Sequence, residues 1–202
     1  MADEEFFRNL PKVTLHDHLD GGLRPQTMIE IADDIGYRLP AGSADDLADW
    51  FFETANSGSL AQYLTTFDHT TACMQRAGDL RRVAREWVDD QVADGVVAGE
   101  ARWAPEPHLR AGRSLDEAVE AVAEGLREGM DAAAAAGKPF IARQLLCAMR
   151  HADRSLEIAE LALRHRDTAL VAGFDIAADE QGNPPTNHLA AFHLLRDNDT
   201  TY

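Results

Sequence analysis

Cysteine is scarce in this chain: Cys73 and Cys147 are the two among 202 residues. Two thiols in a chain of this length exclude a disulfide framework. Cys147 lies inside an apolar stretch, where a buried free thiol is the simple reading. Positive charge is short as well. Lys and Arg number 19 against 35 Asp and Glu, a net charge of −16. An acidic surface repels phosphate backbones and anionic headgroups, so neither nucleic acid nor membrane is expected as a partner. A small neutral ligand stays open. No apolar run approaches the ~20 residues of a membrane span. The opening Met1-Ala2-Asp3-Glu4-Glu5 lacks the basic and apolar regions of a signal peptide, and a soluble cytoplasmic protein is expected. Disorder is excluded by a 45% hydrophobic content with clear periodicity. The length suits one sizeable core rather than two domains.

Four short runs read as strands: Lys12–His18, Val96–Ala104, Ile141–Met149 and Ala169–Ala177. Helical patterns lie between them. Pro25–Ile35 opens on Pro and stops at Gly36, a good start and stop pair. Leu60–Ala77 follows, then Asp79–Ala93, whose Leu80, Val83, Ala84, Trp87, Val88 and Val92 form one stripe. Ser114 caps a long helix with Glu117 at the capping-box position. Ser155 is expected to cap another, and His188–Leu195 is a last helical piece. Gly36–Ser59, rich in Gly, Ala and Asp, reads as an insertion, either a lid or a long connection. Strands alternating with long helices imply a parallel sheet joined by right-handed crossovers. An open doubly wound sheet and a (β/α) barrel both fit. The Gly-x-Gly-x-x-Gly signature is missing after the first strand, which removes the usual dinucleotide site.

Chemistry concentrates at His16-Asp17-His18-Leu19-Asp20-Gly21. Alternation puts Thr14, His16 and His18 on one strand face, and Val13, Leu15, Asp17 and Leu19 on the other. Two imidazoles two residues apart can converge on one ion, and neutral imidazole is a good zinc ligand. Ordinary strand histidines with ordinary hydrogen bonds are the alternative. In parallel α/β proteins the C-terminal strand ends carry the sites, and this pair ends the first strand. Asp17 on the outward face needs hydrogen bonds from neighbours. Glu100 and Arg102 share a face and suggest an internal ion pair. Arg150 and His151 end the third strand, where spacing alone makes His151 a candidate third ligand. His69, His108, His165, His188 and His193 read as surface or packing residues.

The stretch Leu10-Pro11-Lys12-Val13-Thr14-Leu15-His16-Asp17-His18-Leu19-Asp20-Gly21 resembles the opening of adenosine deaminases. So do Phe67-Asp68, then Gly95-Val96-Val97 leading to Glu100-Ala101-Arg102-Trp103-Ala104-Pro105, then Cys147-Ala148-Met149-Arg150-His151, and finally Gly173-Phe174-Asp175-Ile176-Ala177. Five blocks in order span nearly the whole chain. The resemblance implies an α/β fold: about the first four βα units of a (β/α)8 TIM-type barrel, with an extra helical insertion after strand 1. Residues 1–202 would be the N-terminal portion of one barrel domain. It implies zinc as cofactor, with His16 and His18 as two ligands. His18 and Asp20 would face a nucleoside substrate, Asp20 binding the ribose. Ala178 stands where the family has a glycine whose backbone N–H meets the purine ring. Its methyl would crowd the ligand or oppose a positive φ. Tyr63, Leu64 and Phe67 fall where apolar residues wall the pocket, or are plain helix core.

The family reaction is hydrolytic deamination of adenosine or deoxyadenosine in purine salvage. A zinc-activated hydroxide attacks C6, a glutamate protonates the ring, ammonia leaves and inosine forms. The acid and remaining ligands belong to a later His-Ala-Gly-Glu-like strand, a further His and a late Asp. No His-Ala-Gly-Glu segment occurs after Ala177, so no residue of this chain is expected to be catalytic. A truncated deaminase, inactive alone, is the expectation. One alternative is a deaminase of another aminopurine or modified nucleoside. Another is a non-catalytic half-barrel that binds a partner or self-associates through an exposed barrel edge.

Overall fold

A computed structural model describes residues 4–199. Met1-Ala2-Asp3 of the opening segment, and Thr200-Thr201-Tyr202, lie outside the described residues. In chain order the elements are α1 (Glu4–Asn9), β1 (Lys12–His18), α2 (Pro25–Ile35), α3 (Ala44–Ala55), α4 (Leu60–Ala72), α5 (Ala77–Ala93), β2 (Val96–Trp103), α6 (Leu115–Ala135), β3 (Ile141–Met149), α7 (Ser155–His165), β4 (Val171–Ala177) and α8 (Leu189–Asp197). Single 3-10 turns sit at Glu106–His108 and Pro185–His188. The four strands form one sheet in the order β1-β2-β3-β4, all parallel. Each strand is followed by helix before the next, which is why no two strands pair as a hairpin.

Local signals explain most boundaries. Pro25 starts α2, and Gly36 at φ 68 ends it by donating to the Ala32 and Asp33 carbonyls. Ser114 and Glu117 cap α6 reciprocally, as the capping box requires. Gly36–Ser59, expected as a lid or a long connection, carries α3, capped by Ser43 accepting from the Asp46 N–H at 3.1 Å. Ser155 is not a cap but the first helical residue of α7, after Arg154. The run Leu60–Ala77 also breaks: α4 stops at Ala72, Cys73 and Met74 turn into the core, and α5 starts at Ala77. Strand β4 begins two residues late, at Val171, because Leu170 takes φ 61.

The core lies between one face of the sheet and the helices, built from residues such as Trp103, Leu146, Phe174, Val88, Leu126 and Leu161. Gln144 is buried there too. It accepts from Trp103 Nε1 at 3.0 Å and donates to the Val119 and Ala169 carbonyls, so its polar atoms are satisfied. The opposite face is exposed toward the N-terminal ends of β1 and β3. Val13, Leu15 and Ile141 are 59%, 62% and 60% exposed there.

The β1–β2 pairing slips between Thr14 and Asp17, where three steps on β1 match two on β2. That extra residue is a bulge, and it resets the alternation of faces. Thr14 therefore reaches Gln91 of α5 at 3.0 Å, on the same side as Asp17. Asp17 accepts from Trp87 Nε1 at 2.8 Å and Gln91 Nε2 at 2.6 Å. Strict alternation had grouped Thr14 with His16 and His18; the bulge moves it to the helix side.

Candidate active site

The C-terminal strand ends surround a cavity of about 630 Å³. His16, His18 and Asp20 from the end of β1 form one wall. Tyr63, Leu64 and Phe67 of α4 form another, and Ala177 and Ala178 at the end of β4 also line it. The cavity size is right for a small organic ligand. Phe67 sets its ring edge-on to His18, with centroids 5.9 Å apart, and Tyr63 stands edge-on to Phe67 at 5.5 Å. These two aromatic residues therefore brace one histidine while lining the cavity.

His16 and His18 lie with ring centroids 5.4 Å apart. Arg102 dominates their surroundings. This guanidinium, on β2 and only 6% exposed, places Nη1 2.9 Å from Nδ1 and 2.8 Å from Nε2 of His16. Its Nη2 donates to Asp175 of β4 and lies 3.7 Å from Cys147 Sγ of β3. Arg102 pairs with Asp175 rather than with Glu100, correcting the expectation from strand alternation. Nη1 is nearly equidistant from the two ring nitrogens, so the guanidinium lies over the imidazole face, where its charge favours the neutral ring. Partial desolvation, then the Arg102 charge and His18, hold His16 below the ordinary histidine pKa.

Asp20 is buried and accepts from the Ala104 N–H at 3.2 Å. His108 Nε2 is 3.8 Å from one carboxylate oxygen and His18 Nδ1 is 3.9 Å from the other. Burial alone would raise this carboxyl; His108, His18 and the Ala104 amide outweigh it and hold the pKa down to about 2. His108 is completely buried, with Nδ1 3.2 Å from the Met74 carbonyl. The sequence pattern reads it as a surface or packing residue. Its position beside Asp20 follows from the turn after β2, which no spacing rule announces. His151 is an exposed residue at the rim, and Arg150 pairs with Glu180 at 2.9 Å. Ala178 has φ 87, the left-handed region that glycine adopts without strain.

Two imidazoles alone make an incomplete zinc site. Catalytic zinc takes three or more protein ligands plus an open position. Among the described residues, no group of three His, Cys, Asp or Glu side chains could hold a metal ion. A permanent cation lies over the His16 ring besides. In this arrangement the donor set does not fit a catalytic zinc. Among the described residues, no helix is long and apolar enough to cross a membrane.

The family model for adenosine deaminase matches residues 11–202. An adenosine deaminase of Mycobacterium avium is 53% identical over 98% of this chain and 54% of its own length. Adenosine deaminase 1 of Streptomyces coelicolor is 56% identical over 94% of this chain and 48% of its own. Among solved structures, an amidohydrolase from Burkholderia ambifaria with bound Zn superposes with a TM-score of 0.81 at 27% identity, covering 98% of this chain and 52% of that one. The Arabidopsis N6-mAMP deaminase gives 0.78 at 28% identity, covering 97% and 58%. The chain thus spans about half the length of the relatives it matches, and its four-stranded sheet corresponds to roughly half of an eight-stranded barrel. On the family match across residues 11–202, the chain belongs to the adenosine deaminase family.

Proposed function

We propose that residues 1–202 form the N-terminal portion of one deaminase barrel domain and supply the nucleoside-facing half of its site. The reaction is hydrolytic removal of the amino group of adenosine or deoxyadenosine, in the cytoplasm. One observation carries the reading: His16, His18 and Asp20 share a cavity with an aromatic wall and with Ala178, at the C-terminal ends of parallel strands. In this reading Asp20, kept ionised, accepts from a ribose hydroxyl. The Ala178 N–H reaches the purine ring. Tyr63, Leu64 and Phe67 exclude water from the base. His16 and His18 would be two of the ligands to zinc in a completed site. The buried free thiols Cys73 and Cys147 suit a reducing compartment.

Adenosine and inosine differ in ultraviolet absorbance, which gives the test. The purified 202-residue chain with added zinc is expected to leave adenosine unchanged. Sustained conversion would overturn the half-site reading, since no general acid has been assigned in this chain.

A second reading concerns assembly, and the exposed Val13, Leu15 and Ile141 support it. The exposed part of the sheet face and the outer edges of β1 and β4 would pair with complementary strands, from a second copy or from a partner half-barrel.

A further inference from the structure

Asp20 lines the cavity, but its two carboxylate oxygens are placed differently. Oδ2 accepts from the Ala104 N–H at 3.2 Å and lies 3.8 Å from Nε2 of His108. Oδ1 is on the His18 side, 3.9 Å from Nδ1 of that cavity residue. It is buried with no hydrogen-bond partner among the described residues.

His108 stands behind this carboxylate. It is completely buried and does not line the cavity. Packing alone does not explain an imidazole here, since a phenyl ring would fill the same space against Trp103, whose ring centroid is 5.5 Å away. Nδ1 lies 3.2 Å from the Met74 carbonyl oxygen, which only accepts, so Nδ1 donates there. Nε2 is buried without a hydrogen-bond partner among the described residues, and Asp20 is what it faces. A buried polar atom in that position calls for a reason. A proton on Nε2 makes the ring a cation set against the carboxylate. The last torsion of an aspartate is soft, and a hydroxyl acceptor serves best when its direction is fixed beforehand.

We propose that His108 is a positioning residue: together with the Ala104 N–H it pins Oδ2 of Asp20, so that Oδ1 is presented to a ribose hydroxyl of the nucleoside. It acts through Asp20 and does not touch the ligand. This rests on the ribose role proposed for Asp20 above.

Adenosine and the free base adenine are titrated into the isotope-labelled full chain, and each affinity is read from chemical shifts. Wild type should prefer adenosine. His108→Phe keeps a ring of similar size and removes both nitrogens. It is expected to weaken adenosine binding by about tenfold and to leave adenine unchanged. His108→Gln, which carries an amide donor near the place of Nε2, should keep most of the preference. A folded His108→Phe with the preference intact overturns this inference alone, and so does a loss of equal size in His108→Gln. A wild type that binds adenosine no better than adenine, or binds neither, overturns the ribose role of Asp20 as well.

A second measurement covers the case in which His108→Phe does not fold. In wild type, both ring nitrogens of His108 should show the 15N shifts of protonated imidazole, and Nε2 should move on adding adenosine but not adenine. An unprotonated Nε2 overturns the proposal. So does a His108 left unmoved while adenosine shifts the Asp20 carboxylate carbon.

Discussion

A carboxylate shut away from water needs donors or nearby cations to stay ionised. Asp20 has the Ala104 amide and two histidines, and its pKa sits at about 2, below the ordinary 3.8. A folded value below the unfolded one means the stabilisation is present above pH 3.8 and is lost as pH falls through about 2. The difference corresponds to about 2 kcal/mol at neutral pH. Asp20→Asn should therefore lower the urea midpoint at pH 7, and the gap to wild type should close between pH 4 and pH 2. A gap of constant size would mean the carboxylate is not held ionised by its surroundings. Ala178 makes the opposite case. An L-residue in the left-handed region costs ~1–2 kcal/mol, and glycine returns ~0.4–1 kcal/mol of that through unfolded-chain entropy. Ala178→Gly is expected to stabilise the fold by about 0.5 kcal/mol in urea unfolding. A loss would show that the methyl makes packing contacts worth more than the strain.

At the scale of elements, α5 and α6 lie unusually close. A Cβ at Gly125 of α6 would fall 2.1 Å from the Arg81 carbonyl oxygen of α5. Helix propensity favours Gly125→Ala by ~1 kcal/mol. Overpacking against backbone costs ~1–3 kcal/mol and the backbone cannot rotate aside. The steric term wins, so Gly125→Ala should lower the melting temperature, checked by thermal circular dichroism. An unchanged or higher value would mean the two helices can slide apart freely. The elements themselves were largely legible. Boundaries of β1 and β3 and of α2 and α6 follow from alternation, Pro25 and the Ser114–Glu117 box. Helix α3 was missed although Ser43 and Asp46 carry a cap signature, because flanking Gly and Asp residues read as loop. The Thr14 assignment failed because a bulge leaves no trace in a period-two pattern. The Arg102–Asp175 pair spans 73 positions and crosses a strand, which no local rule reaches.

The whole molecule presents a sheet with one covered face and one bare toward the N-terminal ends of β1 and β3. Resemblance to a family conveyed the barrel context that periodicity alone left open between two architectures. It also supplied the roles proposed for His16, His18 and Asp20, whereas the packing of His108 beside Asp20 required coordinates. Exposed Val13, Leu15 and Ile141 on the bare side, with two outer strand edges, favour association. Sedimentation velocity of the isolated chain should show species larger than the monomer at micromolar concentration. A single monomeric boundary would mean the bare face is tolerated in water. The charge of −16 works against indiscriminate clumping, so a discrete complex is favoured over a broad distribution.

Arg102 has a consequence for how this sheet comes apart. Its guanidinium links β1 and β4, which lie at opposite outer edges with two strands between them. Edge strands ordinarily fray one at a time. Here, peeling the C-terminal end of either one strands a buried cation and loosens its hold on the other. The two edges are thus coupled in local opening near the cavity, while their N-terminal ends remain free to fray independently.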